Sequence, residues 1–163
     1  MWKPAYIAPG FEREILEGLR RTVQGFPAGT AELEIGTPPA APKERFPSFL
    51  VLPANPRSAR IHGTVMAGGV IELTVGQAAR KELWPIPRDG GEKFVQEQFF
   101  GVCRAVFTTS FFEELRRDRN GRIVYSKLIL TVNGTQMVLG SDFIFQRLLR
   151  RTQKEIHEYE PYY

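Results

Sequence analysis

Two histidines and one cysteine are the only side chains in this chain of 163 residues whose ordinary chemistry would serve acid–base or nucleophilic work near neutral pH. His62 is the better placed of the histidines. An imidazole changes charge between about pH 5 and 8. Glu72 comes close to it if residues 60–75 fold into a hairpin, offset by one pair. A carboxylate beside an imidazole would orient it for proton transfer. Nothing in the pattern supplies a nucleophile beside them, so the plainer expectation is a surface role on an exposed strand pair. Cys103 lies among Phe99, Val102 and Val106, which predicts a buried thiol with a raised pKa. His157 stands with Glu155, Glu158 and Glu160, and their spacing matches no metal motif. The glycines at 63, 68, 69, 90 and 91 lack the spacing and the following Lys-Ser/Thr of a phosphate loop, and no Gly-x-Ser-x-Gly elbow occurs. We therefore expect no cofactor, no metal and no catalytic set.

Charge offers a second kind of chemistry. Arg147, Arg150, Arg151 and Lys154 recur at spacings of three and four, opposite a seam of Phe145, Leu148, Leu149, Thr152 and Ile156. On a terminal helix running from Ser141 to about His157 they would raise a positive potential suited to an acidic partner. The plainer reading is a solvated outer face. The whole chain carries a formal +4, too mild to mark a nucleic-acid binder, and no nucleic-acid recognition motif is present. Trp84 sits in a rigid Trp84-Pro85-Ile86-Pro87 run. It is either an exposed interface anchor or a lid on a core edge.

The elements that must position these groups follow from periodicity. Phe11, Ile15, Leu19, Val23 and Phe26 repeat as one helical stripe from about Gly10 to Gln24, ended by Gly25 and Pro27. Gly18 inside it implies a close contact. Strands are expected near 31–35 and 49–52 by alternation. In 60–75 the apolar residues Ile61, Val65, Ile71, Leu73 and Val75 are all odd-numbered. A two-residue turn at Gly68-Gly69 would mix faces. A three-residue loop, Ala67-Gly68-Gly69, sets Val65 against Ile71 and Ile61 against Val75. Residues 92–107 carry a second helical stripe. Residues 108–127 are ambiguous: Ser110 with Glu113 has capping-box spacing and favours a short helix, while Asp118-Arg119-Asn120-Gly121 would suit a hairpin tip. Asn133-Gly134 makes a two-residue turn that pairs Leu130 with Met137, Leu128 with Leu139 and Ile129 with Val138. Both faces of that hairpin are apolar, which predicts strands covered twice.

The expected fold is α+β: a single domain over 1–163, with one antiparallel sheet of five or six strands and helices mainly on one face. One cysteine excludes an internal disulfide, and the absence of a long apolar run predicts a cytoplasmic protein with no membrane segment. The expected function is a non-catalytic interaction protein that recognises an acidic partner through Arg147, Arg150, Arg151, Lys154 and Trp84. The alternative is a ligand-binding protein or enzyme with a pocket between sheet and helices near His62 and Glu72. Nucleic acid is a weaker possibility, and composition does not address oligomeric state.

Overall fold

Helix α1 (Pro9–Gln24) forms where the three-and-four repeat predicts it, with Phe11, Ile15 and Leu19 buried. The Gly25 amide closes it by donating to the carbonyls of Arg21 and Thr22. A Cβ at Gly18 would stand 2.5 Å from Cζ of Phe100, so the expected close contact exists; it is made with the second helix. The computed structural model describes residues 9–36, 46–141 and 151–163.

After α1 the chain lays down β1 (Ala31–Gly36), β2 (Ser48–Pro53), β3 (Ile61–Met66), β4 (Val70–Val75) and β5 (Ala79–Leu83) as an antiparallel meander in chain order. Val65 faces Ile71 and Ile61 faces Val75 across the three-residue loop, whose Gly68 and Gly69 both take positive φ. The inner side of this sheet is closed: Val51, Ile61, Val65, Ile71, Leu73 and Val75 have no exposed surface. Strand β5 is absent from the expected elements. Only Ala79 and Leu83 mark its inner face, too few apolar positions to register as alternation.

Helix α2 (Glu92–Thr108) carries the second core stripe of Val95, Phe99, Val102, Cys103 and Val106. Beyond it come β6 (Phe111–Arg117), β7 (Ile123–Val132), β8 (Thr135–Ser141) and β9 (Gln153–Tyr159), in the spatial order β8-β7-β6-β9. The fold is thus α+β with two helices and two antiparallel sheets, of five and four strands, among the described residues. This corrects the expectation of one sheet. Strand β5 packs beside β8 and β7 without joining their ladder, and α2 packs on β4 and β5 of one sheet and on β7 of the other. One core cluster runs through both sheets and both helices.

Two further expectations are overturned. The stretch after Ser110 is strand β6, not a short helix. Phe111, Glu113 and Leu115 turn inward while Phe112, Glu114 and Arg116 turn outward, and Asp118–Gly121 is the hairpin tip. The Glu at capping-box spacing is a buried side chain. The second is the expected helix running to about His157. Residues 153–159 form β9, in seven consecutive pairs with β6, from Phe111 opposite Tyr159 to Arg117 opposite Gln153. That ladder satisfies the backbone while sending Glu155, His157 and Tyr159 to one face and Lys154, Ile156 and Glu158 to the other. The expected helix over 142–150 lies outside the described residues. The Asn133-Gly134 hairpin has the predicted register, with φ of 50° at Asn133 and 80° at Gly134. Past β9 the chain stays docked: the Tyr162 hydroxyl donates to the Ala59 carbonyl at 2.6 Å and its amide to the Phe107 carbonyl at 2.9 Å.

Candidate binding surface

Glu113 is the most enclosed ionisable side chain described, with no exposed surface. It sits on the inner face of β6, where the turn between β4 and β5 meets the second sheet. Its Oε1 accepts from the amides of Ala78 and Ala79 at 2.9 and 3.0 Å and from the Ser126 hydroxyl at 3.0 Å. Its Oε2 accepts from the Gln77 amide at 2.9 Å and the Tyr159 hydroxyl at 2.7 Å. Burial, and then the bond to Glu113, raise the Tyr159 hydroxyl well above the usual phenol range. Gly76 opens this turn with φ 71°. A Cβ there would stand 2.5 Å from Oε2 of Glu113 and 2.8 Å from the Tyr159 hydroxyl oxygen. Five donors around two oxygens leave no lone pair free for a substrate proton, so this carboxylate is a joint between sheets.

A second polar ring lies beside it. The Arg117 Nε donates to Glu155 at 3.0 Å, and its guanidinium reaches the Gln77 amide oxygen at 3.2 Å. His157 Nε2 lies 3.2 Å from Glu155, and Gln77 Nε2 lies 3.2 Å from His157 Nδ1. Gln77 Nε2 also lies 3.3 Å from His157 Nε2. Hydrogen bonds from His157 and then Arg117 hold Glu155 below the usual carboxylate range. Both imidazole nitrogens are thereby engaged. Gln77 and His157 wall a cleft of about 450 Å³ that Arg57, Arg60 and Asn55 also line.

His62 and Glu72 do come together diagonally, His62 opposite Thr74 and Glu72 opposite Thr64. They stand on the open outer face of the first sheet. Partial shielding and then the Arg60 charge lower the His62 pKa, while Glu72 pulls it back up. Glu72 is already bridged to Arg80. Cys103 is shut inside α2, and burial pushes its thiol up to about 12. Among the described residues no three ligand-type side chains gather to hold a metal, and no helix is long and apolar enough to cross a membrane.

Trp84 is exposed past the end of β5, its indole N–H donating to Glu82 at 3.2 Å. Of the four cations expected on one helix face, Arg147 and Arg150 lie outside the described residues. Arg151 is exposed just ahead of β9, and Lys154 is a strand residue whose ammonium lies 3.6 Å from Glu114. Lys154 and Arg151 therefore do not share a helical stripe.

The strand placement of Lys154 joins it to a surface that the sequence pattern did not single out. The outer face of the second sheet carries Phe112, Ile129, Val138 and Ile156, exposed by 57, 44, 47 and 54%. Ile129 faces Val138, and Ile156 faces Glu114. Lys127, Arg116 and Lys154 are interleaved, with Arg116 bridged to Glu114 at 3.1 Å. A shallow hollow of about 450 Å³ opens between Phe112, Lys127, Ile129 and Ile156. The hairpin expected to be covered on both sides is thus open on its outer side among the described residues. Apolar alternation on that side is the available signal, and by itself it does not separate covered from open positions. No described protein family, curated protein or solved structure matches this chain.

Proposed function

We propose that the protein is a non-catalytic binding protein that captures an acidic protein partner on the outer face of its second sheet. The observation that carries this reading is the run of Phe112, Ile129, Val138 and Ile156, four large apolar side chains standing in water on adjacent strands. Contiguous exposed apolar surface rimmed by polar groups is the usual mark of an interaction site. Its sign of charge supports an acidic partner: Arg116, Lys127 and Lys154 outnumber Glu114 and the exposed Glu158 on this face, and Lys127 has no ion-pair partner among the described residues. The chemistry elsewhere points the same way. Glu113 and His157 are consumed by hydrogen bonds, and Cys103 is sealed. Arg151 and Trp84 are exposed elsewhere and remain separate candidates.

The test compares capture by the wild-type chain with capture by Phe112→Glu/Ile129→Glu and by Lys127→Glu/Lys154→Glu, followed by titration of the purified captured partner. Loss of a central contact is worth more than about 1 kcal/mol, so each double variant is expected to weaken binding by at least about tenfold. Rising salt should weaken the wild-type complex as well. Equal affinity for all three chains would refute the reading.

A further inference from the structure

The free edge of the first sheet is a different kind of site. Strand β1 has a strand neighbour on one side only among the described residues. The ladder shows which of its groups face outward. The Ala54 amide donates to the Thr30 carbonyl at 2.9 Å, so Thr30 and Ala54 form a hydrogen-bonded pair. In an antiparallel ladder such pairs alternate with pairs whose N–H and C=O point away. The register then turns Glu32 and Glu34 toward β2 and leaves the N–H and C=O of Ala31, Leu33 and Ile35 directed outward. The next ladder agrees: the Val65 amide donates to the Pro47 carbonyl at 3.0 Å, which gives the odd-numbered residues of β2 to β3.

Side chains add what a bare edge lacks. On the inner side, Ala31, Leu33 and Ile35 are only half-buried, whereas Val51, Ile61 and Val75 across the sheet have no exposed surface. They form one wall of a groove of about 540 Å³. The other wall is the end of α1, with Val23, Phe26 and Arg20. On the outer side, Glu32 and Glu34 are exposed. We propose that β1 and this groove accept an extended peptide as a sixth strand, one that alternates apolar and basic residues. Its apolar side chains enter the groove beside Leu33 and Ile35. Its basic side chains stand across from Glu32 and Glu34, and its backbone completes the outward amides and carbonyls. A second copy of the chain is a poor occupant: antiparallel pairing of β1 with itself sets Glu32 and Glu34 against the same carboxylates, and facing like charges destabilise a strand pair. Charged edges commonly deter pairing. Here the adjoining apolar groove turns the same charges into a selector. This site is independent of the outer face of the second sheet, and variants at Phe112 or Ile129 leave it untouched.

The experiment titrates the protein with capped peptides matching the 6 residues of β1 and follows its amides by NMR. One peptide alternates valine and lysine, one alternates valine and glutamate, and one is the valine–lysine peptide N-methylated at alternate residues. The first is expected to bind below about 1 mM, to shift the amides of Ala31, Leu33 and Ile35 and to slow their hydrogen exchange. The glutamate peptide should bind at least about tenfold more weakly, and Glu32→Lys/Glu34→Lys should reverse that order. The N-methylated peptide, with its charge intact, should fail to bind. Three results would overturn the proposal: no binding of the valine–lysine peptide to about 1 mM, equal binding of its N-methylated form, or protection of the same amides by self-association of the protein alone.

Discussion

The two sheets share an interior and differ outside. On the first, the outward positions include Glu32, Glu34, His62, Thr64, Glu72, Thr74, Arg80 and Glu82, with Leu50 and Leu52 half-buried among them. On the second they include Phe112, Ile129, Val138 and Ile156. Both inner faces close on α2. An outward side chain needs only to tolerate water, so a polar outer face is the undemanding solution. Among the described residues the outer face of the second sheet departs from that solution, and the proposed partner capture rests on this departure.

The strongest challenge to this contrast is at the joint. If the sheets form one cooperative unit, Glu113→Ala leaves three backbone amides, a serine and a tyrosine without their acceptor. We expect a loss of about 3–5 kcal/mol in urea unfolding, or no folded protein. A loss below about 1 kcal/mol would mean that the sheets are held elsewhere. Next in size is a test on one strand. Leu128→Ala, on the inner face of β7, should cost about 2–5 kcal/mol, whereas its neighbour Ile129→Ala should cost less than about 1. Similar losses for the two would mean that the outer face is covered in solution.

A smaller effect separates two glycines of nearly equal φ. Gly76→Ala, at 71° and pressed against Glu113 and Tyr159, should cost about 2–3 kcal/mol; Gly29→Ala, at 76° with nothing within 4 Å, should cost about 1. Equal costs would remove the special role of the joint. The smallest effect concerns the polar face. His62 has a folded pKa below its ordinary 6.5. The folded protein therefore takes up this proton later than the unfolded chain as pH falls. The stability it contributes is present above that range and declines on acidification through it. Urea midpoints between about pH 7.5 and 5.5 should fall slightly more for wild type than for His62→Gln. An identical slope would mean that the ring is unshielded.

Local pattern carried much of this architecture and then failed at identifiable places. The odd-numbered rule across 61–75 and the Asn133-Gly134 turn yielded register because one face of each hairpin must be buried. Strand β6 is hidden in the sequence because Glu113 stands at capping-box spacing from Ser110. No one-dimensional pattern reveals that three amides and two hydroxyls wait for it. Strand β9 is hidden because Thr152 and Ile156 extend a helical count, although Lys154, Ile156 and Glu158 alternate equally well with Glu155, His157 and Tyr159. Only pairing with β6 decides between the two periods. The candidate surface was half legible. Lys154 was named, but its neighbours Phe112, Lys127 and Ile129 come from strands that only tertiary pairing brings beside it.

The joint at Glu113 also constrains the order of assembly. The acceptor that completes the bend at Gln77, Ala78 and Ala79 is synthesised 34 to 36 residues after them. A nascent chain that has emerged only through α2 holds a meander whose last bend still exposes three donors to water. A fragment cut between α2 and β6 therefore lacks the acceptor that fixes this bend, and its amides at Gln77, Ala78 and Ala79 should exchange faster than in the whole chain.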